Sequence, residues 1–124
     1  MKPGNISFRA YFCCMKNAYI SLLNQMDNIL DQKFKSDVSI NIILSIIKYE
    51  LELFWLGIYE LHNDKLIIGQ YQGSLPCLEI PLGKGVCGTV AMTKEPEIID
   101  DVNVLDNYIA CHPEPQSELV FPGF

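Results

Sequence analysis

Three cysteines, Cys77, Cys87 and Cys111, stand in a stretch from Gln72 to Pro122 that is otherwise marked by glycine and proline. Their spacing is too wide for a Cys-x-x-Cys metal clip and suits a thiol redox site assembled by folding. With His112 the three could also form a Cys₃His zinc site, but the short chelating pair usual in such sites is missing. Taken singly, each cysteine reads as a small buried hydrophobe. Gly83-Lys84-Gly85-Val86-Cys87-Gly88 satisfies G-x-G-x-x-G, the dinucleotide fingerprint. Its context fails, because Pro96 cuts the following helix and no βαβ unit fits in the remaining residues. The glycines more simply let a turn present backbone amides to a pocket. Trp55, the sole tryptophan, would anchor the core of most small domains, and Glu118 reads plainly as an exposed strand carboxylate.

A chain of 124 residues with 49% hydrophobic content can build one small core. Its formal charge of −6 repels phosphate backbones and anionic lipid surfaces, so neither nucleic acid nor a membrane is an expected partner. A small molecule or a protein fits better. Five cysteines, two of them the adjacent Cys13 and Cys14, make an awkward disulfide framework and point to reduced thiols in the cytoplasm. The apolar patch from Tyr11 to Met15 is too short for a secretion signal. The run from Ile42 to Ile47 falls far short of a membrane span.

The elements that must position the cysteines follow from hydropathy. Residues 1–16 lack a stable period and read as an N-terminal arm, with one domain over 17–124. Leu22, Leu23, Met26, Ile29 and Leu30 keep helical spacing from Tyr19 to about Gln32. A second helix, capped by Ser36 or Asp37, carries Ile40, Ile43, Leu44, Ile47 and Leu51 on one face. Phe54–Leu61 and Leu66–Gln72 predict a hairpin turned by His62-Asn63-Asp64-Lys65. A short strand over 78–82 leads to the glycine turn, a brief helix over 89–93, a strand over 97–99, a long loop over 100–115 and a strand over 118–121. Two helices followed by antiparallel strands predict an α+β fold.

The segments Gln72-Gly73-Ser74-Leu75-Pro76-Cys77, Ile80-Pro81-Leu82-Gly83-Lys84-Gly85-Val86-Cys87-Gly88-Thr89, Asp101-Val102-Asn103-Val104-Leu105-Asp106, Ile109-Ala110-Cys111 and Ser117-Glu118-Leu119-Val120 together resemble the free methionine-(R)-sulfoxide reductases, small proteins with the GAF fold. The resemblance covers residues 19 to 122 and is dense from Trp55 onward. It implies a GAF-like antiparallel sheet with the N-terminal helices on one face. It also implies reduction of free methionine-(R)-sulfoxide through a cysteine sulfenic acid and an intramolecular disulfide, with no bound cofactor and an external thioredoxin-type dithiol as reductant. By the same resemblance Cys111 attacks, Cys77 resolves and Cys87 is accessory, although Cys87 and Cys111 could exchange roles. Trp55 would pack on the S-methyl end of the substrate. Glu118 would hold its ammonium group or orient and protonate the sulfoxide oxygen.

The chain also departs from that family. His112 stands where the family has aspartate, and Asn107-Tyr108 replace Gly-His ahead of Ile109-Ala110-Cys111. The family continues past the equivalent of Phe124 with two strands, a pair of acidic residues and a helix, so the domain reads as C-terminally incomplete. An uncovered sheet edge favours aggregation, partial disorder or pairing with another chain, a homodimer being one outcome. The other reading of the whole is a non-catalytic GAF module that binds a small ligand or a partner chain through the same pocket.

Overall fold

The computed structural model describes residues 7–101 and 117–123, with side chains from Asn17 onward except at Ala18. The chain divides into two units, Met1–Leu56 and Gly57–Phe124.

The first unit is a pair of packed helices, α1 (Ser7–Asp31) and α2 (Ser36–Glu50). Helix α1 starts twelve residues before the hydropathy pattern would place it, within the expected arm. The reason is that Ser7 to Lys16 contain neither glycine nor proline, so a helix nucleated further along propagates through them without needing an amphipathic period. The buried stripe of α1 is narrower than expected: Leu22 is buried and Met26 and Ile29 half-buried, while Leu23 and Leu30 are exposed. In α2, Leu44 is buried and Ile43 and Ile47 half-buried, whereas Ile40 and Leu51 are exposed. Gln25 Nε2 donates to Glu50 Oε1 at 3.3 Å and ties the two helices.

Neither expected cap of α2 serves as one. Lys35 occupies the N-cap position without a side-chain bond, its carbonyl accepting from the Ser39 N–H at 3.0 Å, while Ser36 and Asp37 lie within the first turn. Asp37 still complements the positive end of the helix dipole. The C-terminus closes in a Schellman arrangement: Leu53 N–H donates to the Lys48 carbonyl at 3.0 Å and Glu52 N–H to that of Tyr49 at 3.3 Å. Glu52 takes the left-handed position with φ 51, a place that favours glycine.

The second unit contains most of the strands. β1 (Leu56–His62), β2 (Lys65–Gln72) and β3 (Glu79–Pro81) form a three-stranded sheet in that order, and β4 (Glu97–Ile99) pairs antiparallel with β5 (Glu118–Val120) in a separate two-stranded sheet. The predicted hairpin is present with a tighter turn than expected. Asn63, with φ 56, and Asp64 make the turn alone, while His62 and Lys65 belong to the strands. Asparagine tolerates that left-handed conformation, which is why the sequence turns there.

β2 and β3 are antiparallel, with Leu66 opposite Ile80, and both side chains are buried. Helix α3 (Gly85–Thr93) packs on β2, β3 and β5 and buries Val86 and Val90. Full burial of an aliphatic side chain contributes about 1.5–3 kcal/mol, so these four residues anchor the unit. Helix α3 begins four residues earlier than predicted, so that Gly85-Val86-Cys87-Gly88 is its first turn and Cys87 is helical rather than in a loop. Two glycines make this start feasible. Gly85 has φ 62, and a Cβ on Gly88 would lie 2.6 Å from the Pro81 carbonyl oxygen, inside any acceptable contact. The G-x-G-x-x-G pattern therefore serves the close approach of a helix to an antiparallel strand.

Candidate active site

Helix α3 and strand β5 bring two of the sequence-predicted residues together. Cys87, in the first turn of α3, donates its thiol to Glu118 Oε1 at 3.5 Å. Glu118 opens β5, opposite Ile99 of β4. Both groups are half-buried. Burial, then the Glu118 charge and the hydrogen bond to it, push the Cys87 thiol up to about 12. Burial likewise raises the Glu118 carboxyl, an effect the Cys87 hydrogen bond partly offsets. Each group thus favours its protonated form. At neutral pH Cys87 is a thiol rather than a thiolate, so it is a poor nucleophile. The pair can instead hold a proton beside a reacting oxygen.

Tyr59 of β1 connects this pair to a second cysteine. Its hydroxyl donates to the Cys77 carbonyl oxygen at 2.7 Å. Burial, followed by the charges of Cys87 and Glu118, pushes the phenol up to about 12, which places Tyr59 within electrostatic reach of both. Cys77 is disulfide-bonded and Cys87 is a free thiol, so the partner of Cys77 lies outside the described side chains. Sequence reasoning did not single out Tyr59. The available signal was a tyrosine in the middle of a predicted strand, since a tyrosine hydroxyl that is half-buried must find a partner.

Cys111 and His112 lie outside the described residues. Trp55 is half-buried at the end of the first unit. His62, expected in the hairpin turn, ends β1, where it is exposed and 3.3 Å from Glu60. Among the described residues no group of three or more His, Cys, Asp or Glu side chains could hold a metal ion. No helix among them is long and apolar enough to cross a membrane.

No family profile matches the chain. Curated relatives and solved structures do. The free methionine-R-sulfoxide reductase of Escherichia coli is 42% identical over 71 residues, 57% of this chain and 43% of that enzyme. The reduced form of fRMsr from Staphylococcus aureus superposes with a TM-score of 0.77 at 31% identity, covering 86% of this chain and 70% of that one. A solved GAF domain superposes with a TM-score of 0.75 at 34% identity, covering 86% of this chain and 65% of that one. The chain thus spans less than half the length of the E. coli enzyme that it matches. Helices followed by antiparallel strands, a first helical turn built as Gly-Val-Cys-Gly and a half-buried thiol–carboxyl pair are the local features that accompany these likenesses. The chain belongs to the free methionine-(R)-sulfoxide reductase family and has the α+β GAF fold.

Proposed function

We propose that the chain is a thiol-dependent reductase of free L-methionine-(R)-sulfoxide. The observation that carries the reading is the arrangement around Tyr59: its hydroxyl holds the backbone of a cysteine engaged in a disulfide, Cys77, within electrostatic reach of a hydrogen-bonded thiol–carboxyl pair, Cys87 and Glu118. In the proposed reaction the Cys111 thiolate attacks the sulfoxide sulfur while the oxygen is protonated. The sulfoxide is reduced to the thioether, and Cys111 is oxidised to a sulfenic acid that carries the oxygen. The Cys77 thiol then condenses with the sulfenic acid, forming a Cys77–Cys111 disulfide and releasing water. An external thioredoxin-type dithiol reopens it by exchange, becoming a disulfide itself. Glu118, held toward its protonated form, supplies the proton to the sulfoxide oxygen, and Cys87 keeps that carboxyl in place. Trp55 is assigned to the S-methyl end of the substrate. Dependence on a reducing dithiol suits the cytoplasm, and no bound cofactor is required.

The test is methionine formation from L-methionine-(R)-sulfoxide in the presence of thioredoxin, thioredoxin reductase and NADPH, with the (S) epimer as control. Turnover of the (R) epimer that Cys111→Ser abolishes is expected, as is a Cys77→Ser variant that stops after one oxidation. Tight binding of the sulfoxide without turnover would overturn the enzymatic reading and leave the GAF binding module in its place.

A further inference from the structure

Cys77 stands in the connection from β2 to β3, and the backbone there is held in place. The Tyr59 hydroxyl donates to the Cys77 carbonyl at 2.7 Å, and the Ile68 N–H of β2 donates to the next carbonyl, that of Leu78, at 3.0 Å. Pro76, on the other side of the cysteine, is buried. On this fixed backbone two large apolar side chains are nevertheless left in solvent, Leu75 at 66% exposure and Leu78 at 55%. Cys77 between them is half-buried and disulfide-bonded. No charged residue occurs from Gln70 to Leu78, although the chain has 15 acidic and 9 basic residues. The first charge beyond, Glu79, is paired with Lys65 at 3.1 Å. A single exposed leucine is ordinary on a protein surface. Two of them flanking a disulfide, in an uncharged segment, give that disulfide an apolar rim.

We infer that Leu75 and Leu78 are the docking surface for the dithiol protein that reopens the disulfide, and that Cys77 carries the sulfur it attacks. This rests on the reductase reading above, which requires an external dithiol without saying where it lands. A thiolate of the reductant attacks the Cys77 sulfur, and a new S–S bond joins the two proteins. The bond from Cys77 to its partner cysteine breaks, and the electron pair leaves on the partner sulfur, which takes up a proton. The reductant's second thiolate then attacks the reductant's own sulfur in the mixed disulfide, releasing Cys77 as a thiolate and leaving the reductant oxidised to a disulfide. Attack needs the incoming sulfur in line with the bond that breaks, and apolar contacts on both sides of Cys77 can hold a protein in that line. Burying the two leucines is favourable only for a partner with apolar surface around its own reactive cysteine. A small dithiol such as dithiothreitol has no such surface, so the rim selects a protein reductant over a small one.

The experiment oxidises the full chain, and a variant carrying both Leu75→Ser and Leu78→Ser, with either L-methionine-(R)-sulfoxide or hydrogen peroxide. Each oxidised chain is then reduced with thioredoxin or with dithiothreitol, and the disulfide is followed by acid quench and mass spectrometry. The expected result is a rate constant for thioredoxin that is about tenfold or more lower in the variant, with equal rates for dithiothreitol. Changing the same two leucines to methionine keeps the apolar area and should retain the parent rate. A thioredoxin lacking its second active-site cysteine should be trapped as a mixed disulfide on Cys77. Thioredoxin rates that are equal in the parent and the serine variant overturn the inference alone, as does trapping on another cysteine. A serine variant slowed equally toward both reductants also overturns it, since the leucines would then shape the disulfide rather than dock its reductant. A parent chain that forms the disulfide with peroxide but not with the sulfoxide overturns the reductase reading, and the inference with it.

Discussion

Replacing Glu118 with glutamine should make Cys87 more reactive, although the change is made on a different strand and adds no base. The thiol is raised from its ordinary 9.0 to about 12. At pH 8 a thiol at about 12 is ionised in roughly one molecule in ten thousand, and one at about 9 in roughly one in ten. Of the three causes that raise it, burial is the largest and survives the substitution. Only the part owed to the Glu118 charge and hydrogen bond can be recovered, so the gain in thiolate stays below the roughly thousandfold that separates the two values. Glutamine keeps an acceptor oxygen near Sγ and removes only the charge, so the expected gain is about tenfold. The assay is timed alkylation with iodoacetamide at pH 8, following the Cys87 peptide by mass spectrometry, with circular dichroism to confirm the fold. An alkylation rate that is unchanged or lower in Glu118→Gln would refute the reasoning, since it would mean that the carboxylate does not hold the proton on Cys87.

Three other outcomes follow from the geometry. Glu52→Gly should stabilise the helical unit by about 0.5–1 kcal/mol in urea denaturation, because Glu52 occupies the left-handed position just after the C-cap, with φ 51. Gly88→Ala should destabilise the second unit by about 1–3 kcal/mol, measured the same way, because the added Cβ would lie 2.6 Å from the Pro81 carbonyl oxygen. Cys87 is raised to about 12, so its contribution to stability is complete below pH 9 and is lost as the pH rises toward 12. The urea midpoint should therefore fall between pH 9 and 11 more steeply in the parent chain than in Cys87→Ser, and equal slopes would contradict this. The raised Glu118 carboxyl has the same sign at lower pH: its contribution is complete below the ordinary 4.5 and is lost as the pH climbs through its raised value.

The hairpin was legible because Asn63-Asp64 sits between two β-rich runs, and local turn chemistry was enough to set it. β4 was legible for a similar reason, with Pro96 marking its start. The start of α1 was not, because the absence of helix breakers between Ser7 and Lys16 carries no periodic signal. Helix α3 was placed four residues late because its glycines read as a turn. Only the approach of Gly88 to Pro81 reveals them as a packing requirement. Among the site residues, the sequence offered Cys77, Cys87 and Glu118, and the fold brings Cys87 and Glu118 into contact. Tyr59 went unnoticed, since its role comes from the partners its hydroxyl meets in the fold, which a linear pattern does not contain.

The hydrogen bond from Tyr59 to the Cys77 carbonyl has a kinetic side. It grips the backbone of Cys77 rather than its sulfur, so it is indifferent to whether that sulfur is oxidised or reduced. When the disulfide opens, the freed thiol stays on a short leash instead of drifting with a loosened loop. Its effective concentration toward a former partner stays high, as for any tethered pair. A cysteine held this way recloses by an intramolecular step that dilution of the protein does not slow. An outside thiol must therefore compete against a fixed local concentration each time it reopens the bond.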